Sequence, residues 1–274
     1  MNYNHEYLRQ VVLKLERSKE QLNEIILFKK ESFKENRIQI KPKICEDKKG
    51  YEFFTNDFTN DNILEDISLR TGEYIHNLRS ALDNIIFGFA RMQVDPPIKP
   101  KKLSFPIFFD ETQFNSKTRD IFNQIPEILK NEITKYQPFY MSDKFDIDSN
   151  LYTLSIVHNL NNIDKHRVPV VMVANINEIK FDGNIEFDNE DFTEIVDEEN
   201  GFFKFYPIKP NSKVFEFKTL EKIEKMEMKF SVDIDLAIDY PNNKLNLNIL
   251  VNIYNDVNHI IKSLITVIEN NSPS

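Results

Sequence analysis

Gly72-Glu73-Tyr74-Ile75-His76-Asn77-Leu78-Arg79-Ser80-Ala81-Leu82-Asp83-Asn84-Ile85-Ile86-Phe87-Gly88-Phe89-Ala90-Arg91-Met92 is the most regular stretch of this 274-residue chain. Ile75, Leu78, Leu82, Ile85, Phe89 and Met92 step by three and four, the spacing that lays apolar side chains along one side of an α-helix. The helix predicted here begins near residue 60. Asp95-Pro96-Pro97 ends it, because proline lacks an amide donor and biases the preceding residue toward extended backbone.

Working outward, residues 7 to about 35 repeat Leu8, Val11 or Val12, Leu15, Leu22 and Ile25 or Ile26 at helical spacing among Glu and Lys. Residues 38–50, with Pro42 and a Lys49-Gly50 turn, leave room for a short strand. Beyond the long helix, Leu103-Ser104-Phe105-Pro106-Ile107-Phe108 reads as a short extended piece. Residues 111–136 read as helical with a break near Pro126, closed by Tyr136-Gln137-Pro138. Ser149 suits the N-cap of a helix carrying Leu151, Leu154, Val157 and Leu160 inward, which runs into Asp164-Lys165-His166-Arg167 and ends at Pro169.

The texture then changes. Residues 168–176, 201–208, 213–217 and 226–238 are β-branched or aromatic, and Met226-Glu227-Met228-Lys229-Phe230-Ser231-Val232-Asp233-Ile234 alternates as a half-buried strand does. Ile249, Ile253, Val257, Ile260 or Ile261 and Leu264 return to helical spacing. The expected fold is α+β: an N-terminal helical bundle, a C-terminal antiparallel β-sheet and a closing C-terminal helix. The expected domain organisation is residues 1–167 helical and 168–274 β-rich with the last helix, packed as one unit.

Hydrophobic residues make up 41% of the chain, enough for a core, and the single cysteine, Cys45, excludes an intramolecular disulfide or a multi-cysteine zinc site. Met1-Asn2-Tyr3-Asn4-His5-Glu6 has neither a basic nor an apolar leader region, and no run is long and apolar enough to span a bilayer, so a soluble, cytoplasmic protein with no membrane partner is expected. The net charge of −9 is unevenly placed. Residues 181–200 hold nine of the 44 acidic residues and no Lys or Arg, leaving 35 acidic against 35 basic residues elsewhere. A neutral remainder can still carry a basic groove for nucleic acid. With five glycines and no Gly-rich phosphate loop, serine elbow or dinucleotide fingerprint, nucleotide-driven chemistry is not expected, nor is a cofactor.

On the long helix, His76, Arg79 and Asp83 share one face, with Asn77, Ser80 and Asn84 on the adjoining strip. A second cluster joins His158 and Asn162, one turn apart, to Asp164, Lys165, His166 and Arg167. Each has two readings. The first is either a packing and ion-pair network or a site; the second is either a solvated helix end with cations near the C-terminal dipole or part of that site. Lys99, Lys101 and Lys102 are read as a solvated loop or a phosphate contact, and residues 182–199 as a solvated hairpin or loop without a calcium-loop pattern. His76, Asp83, His158, Asp164 and His166 are ligand types for zinc or manganese, but no H-x-E or H-E-x-x-H spacing supports a metal site, and none is expected.

Residues 72–83 together with Asn162-Ile163-Asp164-Lys165-His166-Arg167 resemble an uncharacterised bacterial family that pairs an HNLRSALDH-like helix with a later NIDKHR-like element. Phe105-Pro106-Ile107 and Tyr136-Gln137-Pro138 are similar to that family's pattern too, and the resemblance covers about residues 60–170. An Arg followed by four residues and a His is similar to the motif of HEPN ribonucleases, helical and commonly dimeric domains that cleave RNA without metal. The resemblance implies a homodimer and an endoribonuclease or nucleic-acid-binding protein in a toxin or phage-defence setting, with RNA as its partner and catalytic residues drawn from His76, Arg79, Asp83, Asp164, Lys165, His166 and Arg167. This chain departs from the pattern at Asn84, which cannot act as a general base, so either His76, His158 or His166 takes that role or activity is lost. The rival expectation is a non-catalytic binding or scaffold module in which both motifs hold helices together and the β-rich half binds a protein partner.

Overall fold

The computed structural model describes residues 6–34, 39–57, 63–165, 172–187, 203–205, 209, 211–219, 222–241 and 243–271, with backbone alone at 32–34, 63, 164–165, 172–187, 203–205 and 225–235. The protein is α+β, with a helical N-terminal region, antiparallel sheets in the C-terminal half and a closing C-terminal helix. Two compact units divide it: Met1–Ile26, Leu69–Val170 and Asn248–Ser274 form one, Leu27–Ser68 and Val171–Leu247 the other. The units are interleaved along the chain, not separated at residue 167.

The helical unit is organised on α2 (Ile63–Gln93), whose Ile75, Leu78, Leu82, Ile85 and Phe89 are all fully buried. A 3₁₀ turn (Glu6–Leu8) leads into α1 (Arg9–Lys34), which buries Leu8, Val11, Leu15, Leu22 and Ile25, whereas Ile26 is exposed. The turn sits on α2 where glycine leaves room: a Cβ on Gly88 would come within 2.8 Å of both Leu8 Cδ2 and Tyr7 O. The Arg91 guanidinium lies 4.2 Å from the centroid of the Tyr7 ring, one turn further along. Polar contacts join the same two helices: Asn77 Oδ1 accepts from Lys14 Nζ at 2.8 Å and its Nδ2 donates to Gln21 Oε1 at 2.8 Å.

Three short helices follow, α3 (Glu111–Lys117), α4 (Arg119–Phe122) and α5 (Ile128–Lys135). Asp110 caps α3 by accepting from Gln113 N at 2.8 Å. Tyr136-Gln137-Pro138 does not close the helical region; Pro138 opens α6 (Pro138–Phe145), standing at the first-turn position where its missing donor costs no helical bond. Likewise Ser149 is not the cap of α7 (Thr153–Lys165). Its carbonyl accepts from Ser155 Oγ, the helix starts four residues later, and Leu151 is left exposed. The expected end of that helix at Pro169 lies outside the described residues.

The C-terminal helix α8 (Ile249–Asn271) packs on α5 and α7 through Leu250, Ile253, Val257, Ile261 and Leu264. Polar anchors fix it. Buried Tyr74 donates to Leu250 O at 2.6 Å, Thr153 Oγ1 to Asp256 Oδ2 at 2.5 Å, and Ser263 Oγ to Glu132 Oε1 at 2.5 Å. Burial pushes the Tyr74 phenol well up, so it remains a donor.

The second unit has two antiparallel sheets where one was expected. The first orders its strands β1-β2-β5-β4, from β1 (Ile40–Ile44), β2 (Gly50–Thr55), β4 (Phe203–Phe205) and β5 (Lys213–Lys218). The β1–β2 hairpin was half legible: Pro42 and the Lys49-Gly50 turn marked it, but Tyr51 to Thr55 carry too little alternation to announce a second strand. Gly50 adopts φ 150°, and a Cβ there would lie 2.2 Å from Phe217 O, so the β2–β5 pairing requires glycine. Phe53 against Phe215 (5.2 Å between centroids) and Tyr51 against Phe217 (5.9 Å) form the aromatic contacts of that pairing.

The second sheet orders β3-β6-β7, with β3 (Met172–Phe187) and β6 (Ile223–Tyr240) paired along their length and β7 (Asn243–Asn246) beside the end of β6. Residues 182–187, expected in a solvated hairpin or loop, belong to β3. In register Asp182 stands opposite Lys229 and Glu186 opposite Lys225, so cross-strand cations accompany the start of the acidic run. Residues 188–200 lie outside the described residues.

Two stability measurements follow from this packing. Gly88→Ala forces a methyl against Tyr7 O and costs about 1–3 kcal/mol of overpacking, more than the roughly 1 kcal/mol of helix propensity that alanine returns; thermal melts should show a lower Tm. For Glu132, burial works to raise the carboxyl, but hydrogen bonds from Lys135 and Ser263 outweigh it and hold it below its ordinary range. A depressed carboxyl contributes stability above its unfolded pKa and loses it as pH falls through the folded value. Acid titration of the melting temperature should therefore show a drop below about pH 4 that Glu132→Gln makes shallower.

Candidate functional site

Arg79 and Asp83 stand one turn apart on α2 and form an ion pair at 2.7 Å, with side chains 11% and 34% exposed. Both are engaged by one residue. Arg79 Nη2 donates to Phe105 O at 2.7 Å, and Asp83 Oδ1, which accepts from Arg79, also accepts from Phe105 N at 2.9 Å. The pair thus satisfies the amide and the carbonyl of a single residue, as a neighbouring strand would. Among the described residues Leu103 to Phe108 has no strand partner in either sheet, and the backbone of buried Phe105 needs these side-chain bonds.

Gln137 completes the arrangement from the far side. Its Nε2 donates to Pro106 O at 2.9 Å and to Ile133 O at 3.2 Å, and its Oε1 accepts from Phe108 N at 3.1 Å. The long helix, the Phe105-Pro106-Ile107 segment and Tyr136-Gln137-Pro138 are therefore parts of one clamp, with Phe105 and Gln137 fully buried. Arg79 Nη1 is buried and has no hydrogen-bond partner among the described residues. With no surface of its own, that atom is not presented to a phosphate.

One turn before Arg79, His76 is exposed, and its Nδ1 lies 3.4 Å from Oδ1 of Asn161 on α7. The two motif-bearing helices thus meet at side-chain level across 85 residues of chain. Asn161 is buried and so fixes one end of the contact. On the same helix His158 Nε2 lies 3.0 Å from Asn162 Nδ2, and the His158 ring stands edge-on to Phe109, 6.4 Å between centroids.

No protein-family model, curated protein or solved structure matches this chain.

The structure puts His76, Arg79 and Asp83 on one helix as expected, but splits them between a clamp and an exposed imidazole. Asp164 and Lys165 continue α7 one turn beyond Asn161, with only their backbone described, and His166 and Arg167 lie outside the described residues. Asn84 is half-buried on α2. Lys99 is paired with Asp120 at 2.7 Å, while Lys101 and Lys102 are exposed on a 3₁₀ turn (Pro100–Lys102). Among the described residues no group of three His, Cys, Asp or Glu side chains is placed to hold a metal ion. Nor is any described helix long and apolar enough to cross a membrane. Asn161 was not singled out in the sequence, and Gln137 was marked only as part of Tyr136-Gln137-Pro138, without its role in the clamp. Asn161 follows His158 by three positions and precedes Asp164 by three, so helical periodicity alone would have placed it on their strip.

The clamp makes a thermodynamic prediction. Arg79→Ala and Asp83→Ala should each cost roughly 2–3 kcal/mol, the scale of losing charge-assisted hydrogen bonds from a buried main chain. Urea melts of both variants and of the double variant should show strong non-additivity, since removing either residue leaves the other without its role. Additive losses would mean that the two side chains act independently.

Proposed function

We propose that this protein is a HEPN-like, metal-independent RNA-cleaving protein whose working surface is the α2–α7 junction. The observation that carries the reading is His76: an exposed imidazole on the motif helix, oriented across the helix interface by the buried Asn161. A proton-transfer group needs an accessible nitrogen and a partner that holds the ring and its tautomer, and an Asn carbonyl facing Nδ1 supplies the second while exposure supplies the first. His76 takes the place of the histidine that Asn84 lacks.

In this reading the imidazole removes the proton from a ribose 2′-hydroxyl, whose oxygen attacks the adjacent phosphorus. The P–O5′ bond breaks, leaving a 2′,3′-cyclic phosphate and a 5′-hydroxyl, the departing oxygen being protonated by water or an acidic group. The resemblance to HEPN domains makes Lys165 the cation for the charge that builds on phosphate. Arg79 and Asp83 are positioning residues, since their polar atoms are bonded to Phe105 and to each other.

That same clamp favours the second reading, a non-catalytic module in which the motif residues exist to hold a loop. Incubation of the purified protein with mixed RNA in EDTA separates the two. Cleavage with cyclic-phosphate ends, reduced about 10²- to 10⁴-fold in His76→Ala at unchanged Tm, is the expected result. Absence of cleavage by the unmodified protein, or full activity in His76→Ala, overturns the proposal and leaves the module.

A further inference from the structure

We infer that Lys101, Lys102 and Arg119 form a contact surface for the phosphate backbone of an RNA strand, an inference that rests on the RNA reading above and says where the strand is held. The three side chains are exposed, and among the described residues none of them makes a hydrogen bond or an ion pair. The backbone that presents them is fixed. Buried Pro97 and Leu103 pin the turn on either side, and Lys102 N and Leu103 N donate to Lys99 O at 3.0 Å and Pro100 O at 3.2 Å. Gln124 ties the turn to α4, its Oε1 accepting from Lys99 N at 2.7 Å and its Nε2 donating to Asp120 O at 2.7 Å. The Lys99–Asp120 ion pair closes the junction. Side chains on an anchored backbone have less freedom to lose on binding than those of a mobile loop.

This junction gathers positive charge. The Asp120 carboxyl is held below its ordinary range, first by the hydrogen bond from Lys99 and then by the charges of Lys99, Lys102 and Arg119 around it. One carboxylate thus answers three cations, and its hydrogen bond is spent on Lys99. No acidic residue occurs from Pro96 to Phe109; Asp110 and Glu111 stand at the end of α3 away from Arg119, and Asp110 is engaged as the cap of that helix. In a chain of net charge −9, such a junction is where a polyanion can approach. A lone phosphate is commonly cradled by main-chain amides, but those of Lys99, Lys102 and Leu103 are already bonded within the protein. Separate side-chain cations on two elements suit successive phosphates of a strand instead.

The surface is tethered to the clamp. Lys102 stands three residues before Phe105, so their Cα atoms are at most about 11 Å apart. Phe105 N is bonded to Asp83, which follows His76 on α2 by seven residues, about 10 Å of helix. Phosphate contacts carry no sequence information, so this surface positions the strand and leaves the choice of base open.

The test uses the full chain and fluorescence anisotropy in EDTA, with a labelled 2′-fluoro oligonucleotide of about twelve nucleotides, which lacks the nucleophile, across about 50–200 mM salt. For a single strand the slope of log affinity against log salt is about −0.7 per phosphate contact. Lys101→Gln, Lys102→Gln and Arg119→Gln should each reduce its magnitude by about 0.7 and the triple variant by about 2, and cleavage of RNA by the triple variant should show a raised KM at unchanged kcat. Lys19→Gln, which removes an exposed charge from α1, is the control and should leave the slope as it is. An equal effect of Lys19→Gln shows that net charge alone is read and overturns the surface. A triple variant that is folded by circular dichroism and keeps the parent's slope does the same, and the RNA reading then stands. Displacement of the strand by millimolar orthophosphate at matched ionic strength overturns the assignment to a strand. Binding that the three substitutions weaken, without cleavage by the parent, supports the surface and removes the catalytic reading. If the parent neither binds the strand nor cleaves RNA, both fall.

Discussion

The clamp on Phe105 is the constraint on which the helical unit depends. An extended segment threaded between helices has no strand beside it, and each unpaired buried amide or carbonyl costs on the order of 1–3 kcal/mol. Arg79 and Asp83 meet that demand with one charged pair, and Gln137 meets the next two groups from α5's end. Because an i,i+4 pair on a helix is already aligned, little side-chain freedom has to be given up to make the second set of bonds. The buried, unpartnered Arg79 Nη1 is the cost left over.

The exposed groups that flank this clamp in the chain are His76 and Phe109. His76 is one turn toward the N-terminus of the helix that carries Arg79, and Phe109 is the residue after the last clamped amide. The clamp thus holds two groups that solvent can reach while being mostly inaccessible itself. Such an arrangement accounts for charged residues that a scaffold needs and an exposed imidazole that a scaffold does not.

How much of this the sequence displayed depended on whether the signal was periodic. The stripe from Ile75 to Met92, the closing helix and the alternation from Met226 to Ile234 were legible because burial repeats along them. The His76-Arg79-Asp83 face was legible as a face, but its division into clamp and exposed ring was not, since Phe105's demand for a donor and an acceptor appears only when the loop is in place. Pro138 and Ser149 misled for a local reason: proline ends and begins helices with equal ease, and Ser149 used its carbonyl rather than its hydroxyl. The second strand of the β1–β2 hairpin and the division into two sheets escaped because strand pairing is non-local; β2 finds β5 more than 150 residues later, and no pattern within either strand says so.

The amide at Asn161 determines what the imidazole can do. With its Oδ1 toward Nδ1, the contact is a hydrogen bond when the neutral ring carries its proton on that nitrogen, the tautomer that keeps the lone pair of Nε2. With the amide turned over, its Nδ2 would donate to Nδ1 and the neutral ring would carry its proton on Nε2, leaving no lone pair there to accept one. A carboxylate in the same place would also fix the ring but would add a negative charge beside it. A neutral, buried amide orients the histidine without adding that charge, so the residue that lends His76 its direction leaves the electrostatics of the exposed ring unchanged.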